Sequence, residues 1–172
     1  VTAWAGKFAQ YVALSYAECA EYFPLKNKHG EVKTARVGQP VRAELEHVTT
    51  TGAFEFLGLE RDVPVLFIIG GSLGAQIINN CVLEALPELV KKYQVIHQTG
   101  RTNYDGVLQA SQVILEDNDF AGRYRPMSFL TPLQMRMAGG AAKLVISRAG
   151  SAIFEIAGWG IPSIIIPITS SN

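Results

Sequence analysis

The sequence has no excess of charge of either sign and contains little cysteine. Lysine and arginine together number 15, as do aspartate and glutamate, so the formal net charge is zero. A nucleic-acid-binding domain normally carries a basic excess, so this balance argues against nucleic acid as a partner. The two cysteines, Cys19 and Cys81, have no metal-ligand spacing with any histidine and are too few for a disulfide framework. We therefore predict a reducing compartment, no metal site and no nucleic-acid partner.

Long apolar runs and several nucleotide-binding signatures are also missing. No apolar run reaches the roughly 20 residues that span a bilayer, and no signal peptide is recognisable. No glycine-rich segment ends in Gly-Lys-Ser/Thr, which disfavours an ATPase. A full Gly-x-Gly-x-x-Gly with its ribose-binding acid is absent, which disfavours a dehydrogenase. The chain starts at Val1 without methionine and stops at Asn172 directly after an apolar strand, so we expect it to be part of a longer protein.

Regular alternation of apolar strands and helical segments begins at Val63. The predicted strands are 63–69, 95–98, 124–129, 144–147 and 163–168, and the predicted helices are 75–89, 103–115, 132–142 and 152–159. Alternation at this spacing is typical of a parallel sheet with right-handed crossovers. The predicted class is therefore α/β, with a doubly wound parallel sheet.

Weaker patterns occupy the first 62 residues. Residues 3–23 contain segments that are compatible with helix and an apolar patch at 11–16 that suits a strand. A short strand is predicted at 34–37, and a helix with a connector at 43–62.

Two glycine-containing turns follow predicted strands, Gly70–Gly74 and Arg148–Ala152. Ligands of doubly wound sheets bind beyond the carboxyl ends of the strands. Glycines allow a ligand to approach the backbone closely, and the N–H groups at the start of a helix favour an anion. We predict that the two loops together hold one diphosphate. The alternative is that both are ordinary strand-to-helix turns without a ligand.

Two titratable residues near these turns are candidates for a site. Glu155 lies near the start of a predicted helix, where its carboxylate interacts favourably with the helix dipole. Its two oxygens suit the two hydroxyls of a ribose, but the residues alone are equally compatible with a helix acid that has no ligand. His97 ends a strand, where it is either a ligand contact or acid–base group or, as is commoner, a packed core histidine. No Ser/His/Asp set or paired carboxylates stand out.

Several segments together resemble one protein family, the MurG family of bacterial glycosyltransferases. The resemblance covers nearly the whole chain, and the segments that carry it occur in the family's order: Val37–Arg42, Gly70–Ala75, His97–Gly100, Ser147–Ala157 and Gly160–Pro162. The resemblance implies inverting transfer of N-acetylglucosamine from UDP-N-acetylglucosamine to undecaprenyl-diphospho-muramoyl-pentapeptide, a step of peptidoglycan and cell-wall synthesis. It also implies the GT-B fold, in which two Rossmann-like domains flank the active site.

The same resemblance implies a division of the chain and a set of partners. Residues 1–41 would be the end of the amino-terminal domain and the linker, and 42–172 the UDP-sugar-binding domain, truncated at its end. The lipid-linked acceptor and the inner membrane surface would be reached through the other half, at the cytoplasmic face of the plasma membrane. This part alone is expected to be inactive, with no catalytic residue, cofactor or metal of its own. Alternatives are a natural half-subunit of a split lipid-linked N-acetylglucosaminyltransferase and a nonenzymatic nucleotide-binding domain.

Donor-binding roles follow from the resemblance residue by residue. Arg42 would lie by the nucleotide, Leu130 would meet the uracil through its backbone, and Glu155 would hold the ribose hydroxyls. The two loops would contact the phosphates and sugar through Gly71, Ser72, Leu73 and Gly74, and through Gly150, Ser151 and Ala152. The sequence departs from the family at Gln39, where asparagine is usual, and at Lys143, where aspartate is common. The turn before Glu155 is also one residue shorter, and the family's sugar-reading segment would follow Asn172.

Overall fold

The computed structural model describes residues 2–70 and 76–167, which form two compact units, Val1–Val41 and Arg42–Asn172. The first unit contains helix α1 (Thr2–Phe8), a 3₁₀ turn (Ala17–Tyr22) and two short parallel strands, β1 (Val12–Leu14) and β2 (Thr34–Arg36). Both strands lie within or at the segments predicted for them. Large apolar side chains of this unit remain in solvent, including Trp4, Phe8, Tyr22 and Leu25.

A five-stranded parallel sheet forms the centre of the second unit. Its strands are β3 (Val65–Ile69), β4 (Gln94–Gln98), β5 (Tyr124–Met127), β6 (Ala142–Arg148) and β7 (Ser163–Ile166). Its helices are α2 (Ala53–Leu57), α3 (Gln76–Lys92), α4 (Tyr104–Ile114), α5 (Pro132–Ala141) and α6 (Ala152–Trp159). The strand order is β5-β4-β3-β6-β7, so the chain builds outward from β3 to one edge and then returns to build the other. The predicted α/β doubly wound class is confirmed.

Helices cover both faces of this sheet, which explains the continuous apolar sequence of its central strand. All five residues of β3 are buried. Phe67 and Ile69 belong to one core cluster with residues of α5 and α6, whereas Leu66 and Ile68 belong to a second cluster with residues of α3 and α4. A strand that is buried on both faces has no polar alternation.

Residues 43–62, which precede β3 in the second unit, contain less helix than their sequence predicts. Within 43–62 the structure has a 3₁₀ turn (Ala43–Leu45) and the five-residue α2. Glycines flank α2 at both ends, Gly52 with φ 74° and Gly58 with φ 63°. These left-handed conformations end a helix, and the β-branched run at 48–51 disfavours one before it.

Candidate nucleotide-binding site

Helix α6 begins at the carboxyl end of β6 and presents the second predicted loop. Ser151 is the residue before the helix, and its side chain makes no capping hydrogen bond. The backbone N–H groups of Gly150, Ser151 and Ala152 donate to no other described residue. Gly150 and Ser151 are exposed. Three consecutive N–H groups that have no acceptor among the described residues, at the start of a helix, form a surface that suits an anion.

The structure brings Glu155 and Arg42 together although 113 residues separate them. Nε of Arg42 donates to one carboxylate oxygen of Glu155 at 2.7 Å, and an Nη donates to the other at 3.1 Å. The Glu155 side chain is 8% exposed, whereas that of Arg42 is 54% exposed. This hydrogen bonding raises the pKa of Arg42, so the guanidinium is firmly charged. Each carboxylate oxygen keeps a further lone pair, so the ion pair leaves capacity for hydroxyl donors.

Packing along α6 explains why this ion pair forms. Trp159 lies one turn beyond Glu155 on the same face of the helix. Its indole N–H donates to the carbonyl of Leu45 at 2.7 Å, and its ring stacks on Phe67 of β3. Leu45 is fully buried, so the 3₁₀ turn that follows Arg42 is fixed against α6.

Leu130 follows β5, at the same carboxyl end of the parallel strands as the start of α6. Its side chain is 2% exposed and shares a core cluster with Ile156, the neighbour of Glu155. Its backbone N–H and carbonyl make no hydrogen bond with other described residues. A capping box between Thr131 and Gln134 starts α5 immediately afterwards and fixes this backbone. Among the described residues, the Leu130 backbone therefore has one donor and one acceptor without a partner, next to α6, which carries Glu155.

The first glycine turn is described only at its start. The N–H of Gly70 donates to the carbonyl of Gln98 at 3.0 Å, which continues the pairing of β3 with β4. The predicted residues Gly71, Ser72, Leu73 and Gly74 lie outside the described residues.

Sequence reasoning missed one contact at this edge of the sheet. The guanidinium carbon of Arg101, just after β4, lies 4.9 Å from the ring centroid of Phe129, just after β5. The only signal in the sequence was a cation that follows a strand end.

His97 lies in β4, with its side chain fully buried, and belongs to the core. Its Nδ1 is 2.9 Å from the hydroxyl of Tyr124. Burial lowers the pKa of His97 to about 4, and burial also raises the pKa of Tyr124. Of the two interpretations of His97, the packed core histidine fits this geometry.

Burial of His97 predicts a pH-dependent stability. The pKa is about 4 in the folded protein against 6.5 ordinarily. Between these values only the unfolded chain takes up the proton, so the free energy of unfolding falls as the pH falls. We expect a loss of about 2 kcal/mol between pH 7 and pH 5, measured by urea unfolding. His97→Gln should abolish most of this pH dependence of the free energy of unfolding, whereas His47→Gln, at an exposed histidine, should keep it. An equal pH dependence in the two variants would contradict the role given to buried His97.

Other kinds of site are not found in the described part of the chain. Within residues 2–70 and 76–167, no group of three or more His, Cys, Asp or Glu side chains is arranged to hold a metal ion. No helix in these ranges is long and apolar enough to cross a membrane.

The doubly wound parallel sheet, with helices on both faces, defines a Rossmann-like α/β domain. Residues 65–172 match the model of the glycosyltransferase family 28 C-terminal domain, and the chain belongs to that family.

Similar proteins agree with the family resemblance found in the sequence. The chain is 33% identical over 168 residues to the UDP-N-acetylglucosamine--N-acetylmuramyl-(pentapeptide) pyrophosphoryl-undecaprenol N-acetylglucosamine transferase of Treponema denticola, covering 96% of this chain and 42% of that protein. It is 36% identical over 164 residues to the protein with the same name, numbered 3, from Bacillus thuringiensis strain Al Hakam. That match covers 95% of this chain and 42% of that protein. The chain thus spans about two fifths of the length of these curated relatives.

A solved structure is similar in fold. The crystal structure of MurG from Acinetobacter baumannii superposes with a TM-score of 0.57 at 20% identity, covering 94% of this chain and 44% of that one. The likeness confirms the Rossmann-like α/β class expected from the sequence.

Proposed function

We propose that this chain is the donor-binding part of an inverting glycosyltransferase. The whole protein would transfer N-acetylglucosamine from UDP-N-acetylglucosamine to the lipid-linked muramoyl-pentapeptide precursor of peptidoglycan. The family of residues 65–172 and the names of the similar proteins support this reaction. The observation that carries the site is the buried carboxylate of Glu155, oriented by Arg42 at the carboxyl edge of the sheet.

Within this proposal the ribose, the phosphates and the uracil of the donor each have a partner. Glu155 accepts hydrogen bonds from the two ribose hydroxyls, and its charge makes these bonds stronger than neutral ones. The free N–H groups of Gly150, Ser151 and Ala152 face the phosphates, together with Gly71, Ser72, Leu73 and Gly74 of the other loop. The unpaired backbone of Leu130 suits the imide edge of uracil, which has the complementary acceptor and donor. Arg42 orients Glu155 and supplies positive charge beside the nucleotide.

The reaction would be a direct displacement at the anomeric carbon. The acceptor hydroxyl attacks as a base takes its proton, and the bond to the β-phosphate oxygen breaks. Loop N–H groups and the start of α6 stabilise the charge that grows on UDP. We assign no catalytic base to this chain and no metal or cofactor to the step.

The proposal also divides the chain. Residues 1–41 would be the end of the amino-terminal domain and the linker, and 42–172 the donor-binding domain. Exposed apolar side chains of the first unit, such as Trp4 and Leu25, support this, since a separate small domain would bury them. The acceptor's lipid would be met through the amino-terminal half at the cytoplasmic face of the plasma membrane, where the protein would be peripheral.

The test is a titration of the intact protein with UDP-N-acetylglucosamine, with UDP-glucose as competitor, and a transfer assay on the lipid-linked acceptor. We expect UDP-N-acetylglucosamine to bind more tightly than UDP-glucose and to be consumed with acceptor. Absence of UDP binding would overturn the site. Binding without transfer would favour a nonenzymatic nucleotide-binding domain, and transfer only after addition of a second polypeptide would favour a split enzyme.

A further inference from the structure

Arg101 and Phe129 form a cation–π pair at the carboxyl edge of the sheet. The guanidinium carbon lies over the ring at 4.9 Å from its centroid. The two residues follow adjacent strands, β4 and β5. Arg101 is exposed, and Phe129 is 39% exposed although the next residue, Leu130, is only 2% exposed. The pair therefore lies at the surface, directly beside a buried part of the candidate site.

The backbone beneath Arg101 is held firmly. The N–H of Thr99, which is fully buried, donates to the carbonyl of Met127 at 2.9 Å and so joins the two strand ends. Buried Asn79 of α3 donates to the Thr99 carbonyl at 3.1 Å. Gly100 turns the chain with φ 86°, a conformation that favours glycine. Because Phe129 is followed by the Thr131 capping box, both partners stand on fixed backbone.

The charge of Arg101 has no acidic partner in residues 2–70 and 76–167. The ion pairs in these ranges occupy Arg42, Arg61, Lys91 and Arg123 instead. An arginine that rests on an aromatic ring keeps its charge, and the other face of its planar guanidinium accepts a second planar group.

We infer that Arg101, supported by Phe129, stacks on the base of the bound nucleotide and helps to position it. The inference rests on the proposed function, because it places the base at the Leu130 backbone next to Phe129. A planar cation between an aromatic ring and a nucleobase is a known stacking arrangement, and it tolerates every base because each has a π-face. Arg101 thus adds affinity for the nucleoside, while the choice of uracil is left to the backbone of Leu130.

The experiment compares uridine, UDP and pyrophosphate on the intact protein and its variants. Affinity for UDP is measured by calorimetry and for the weaker ligands by ligand-observed NMR. Arg101→Ala is expected to weaken uridine and UDP alike, by roughly 5- to 50-fold, and to leave pyrophosphate unchanged. Arg101→Lys keeps the charge but lacks the flat guanidinium, so its affinity for uridine and UDP should fall nearly as far as that of Arg101→Ala. Phe129→Leu should lower the same affinities by a smaller factor.

A matched control is Arg61→Ala, which also removes one exposed arginine. Arg61 lies just before β3, at the amino ends of the strands and away from the candidate site. This substitution should leave the affinities for uridine, UDP and pyrophosphate unchanged. If Arg101→Ala weakens UDP and pyrophosphate but not uridine, Arg101 contacts phosphate and the stacking role is wrong. If all three ligands bind Arg101→Ala as they bind the unmodified protein, Arg101 has no part in the site. If the unmodified protein itself does not bind UDP, the proposed function fails, which is a distinct result.

Discussion

Replacing Glu155 by alanine is expected to weaken UDP binding by about 1–3 kcal/mol, a factor of roughly 5 to 150 in Kd. The Glu155 side chain is 8% exposed, and Arg42 holds both carboxylate oxygens in fixed directions. Hydrogen bonds from ribose hydroxyls to such a group are charge-assisted, and the site pays little entropy to form them because the acceptor is already oriented. Calorimetric titration of UDP into the unmodified and variant proteins measures the effect.

Titration with 2′-deoxy-UDP separates the contact between Glu155 and the ribose from the effect of releasing Arg42. Glu155→Ala also frees Arg42, which is then available to the phosphates and can offset part of the loss. Comparing UDP with 2′-deoxy-UDP in each protein cancels that gain, because both ligands carry the same diphosphate. The unmodified protein should prefer UDP, and Glu155→Ala should bind the two nearly equally. An undiminished preference in the variant would remove Glu155 from the ribose.

The fold should survive this substitution. The Arg42 side chain is 54% exposed, so it regains water when its partner is removed and leaves no buried unpaired charge. A thermal unfolding curve of Glu155→Ala verifies this before the binding data are interpreted.

The substitution Gly140→Ala is expected to cost about 3 kcal/mol or more of the free energy of unfolding. A β-carbon at Gly140 of α5 would lie 2.0 Å from the carbonyl oxygen of Thr49 and 2.9 Å from the backbone nitrogen of Thr50. These are backbone atoms, so no side-chain rotation relieves the clash. The N–H of Thr49 also donates to the carbonyl of Arg136 in α5 at 3.1 Å, and that bond resists separation of the two segments. Urea unfolding followed by circular dichroism measures the loss.

The matched control is Gly106→Ala in α4. A β-carbon at Gly106 meets no atom within 4 Å. Alanine there gains helix propensity and should stabilise the protein by roughly 0.5–1 kcal/mol. If Gly140→Ala proves as stable as Gly106→Ala, the close approach of α5 to Thr49 is wrong. Gly140 is not one of the proposed donor-binding residues, so Gly140→Ala protein that remains folded should still bind UDP.

The sequence by itself determined the local elements of the second unit. The strand predicted at 63–69 has an unbroken apolar sequence, which is typical of a strand covered on both faces, and all five residues of β3 are buried. The helix predicted at 152–159 has those bounds, because Gly160 in the left-handed conformation ends it. Such features depend on periodicity and on residues that stop a helix, and both are properties of neighbours in the chain. The helix predicted within 43–62 is present only as the five-residue α2, because the β-branched run before it and the glycines at both of its ends limit its length.

Only the tertiary structure decided which of these elements meet. Arg42 and Glu155 were each expected near a nucleotide, yet nothing in either segment indicated that they form an ion pair. Gly140 has an ordinary place in a helix, and its need for glycine arises from Thr49, far away in the chain. The sequence likewise contained no sign that Arg101 packs on Phe129 or that buried His97 contacts the hydroxyl of Tyr124. These contacts join segments that are distant in sequence, so they depend on strand order and on how each helix packs across the sheet, which local periodicity does not encode.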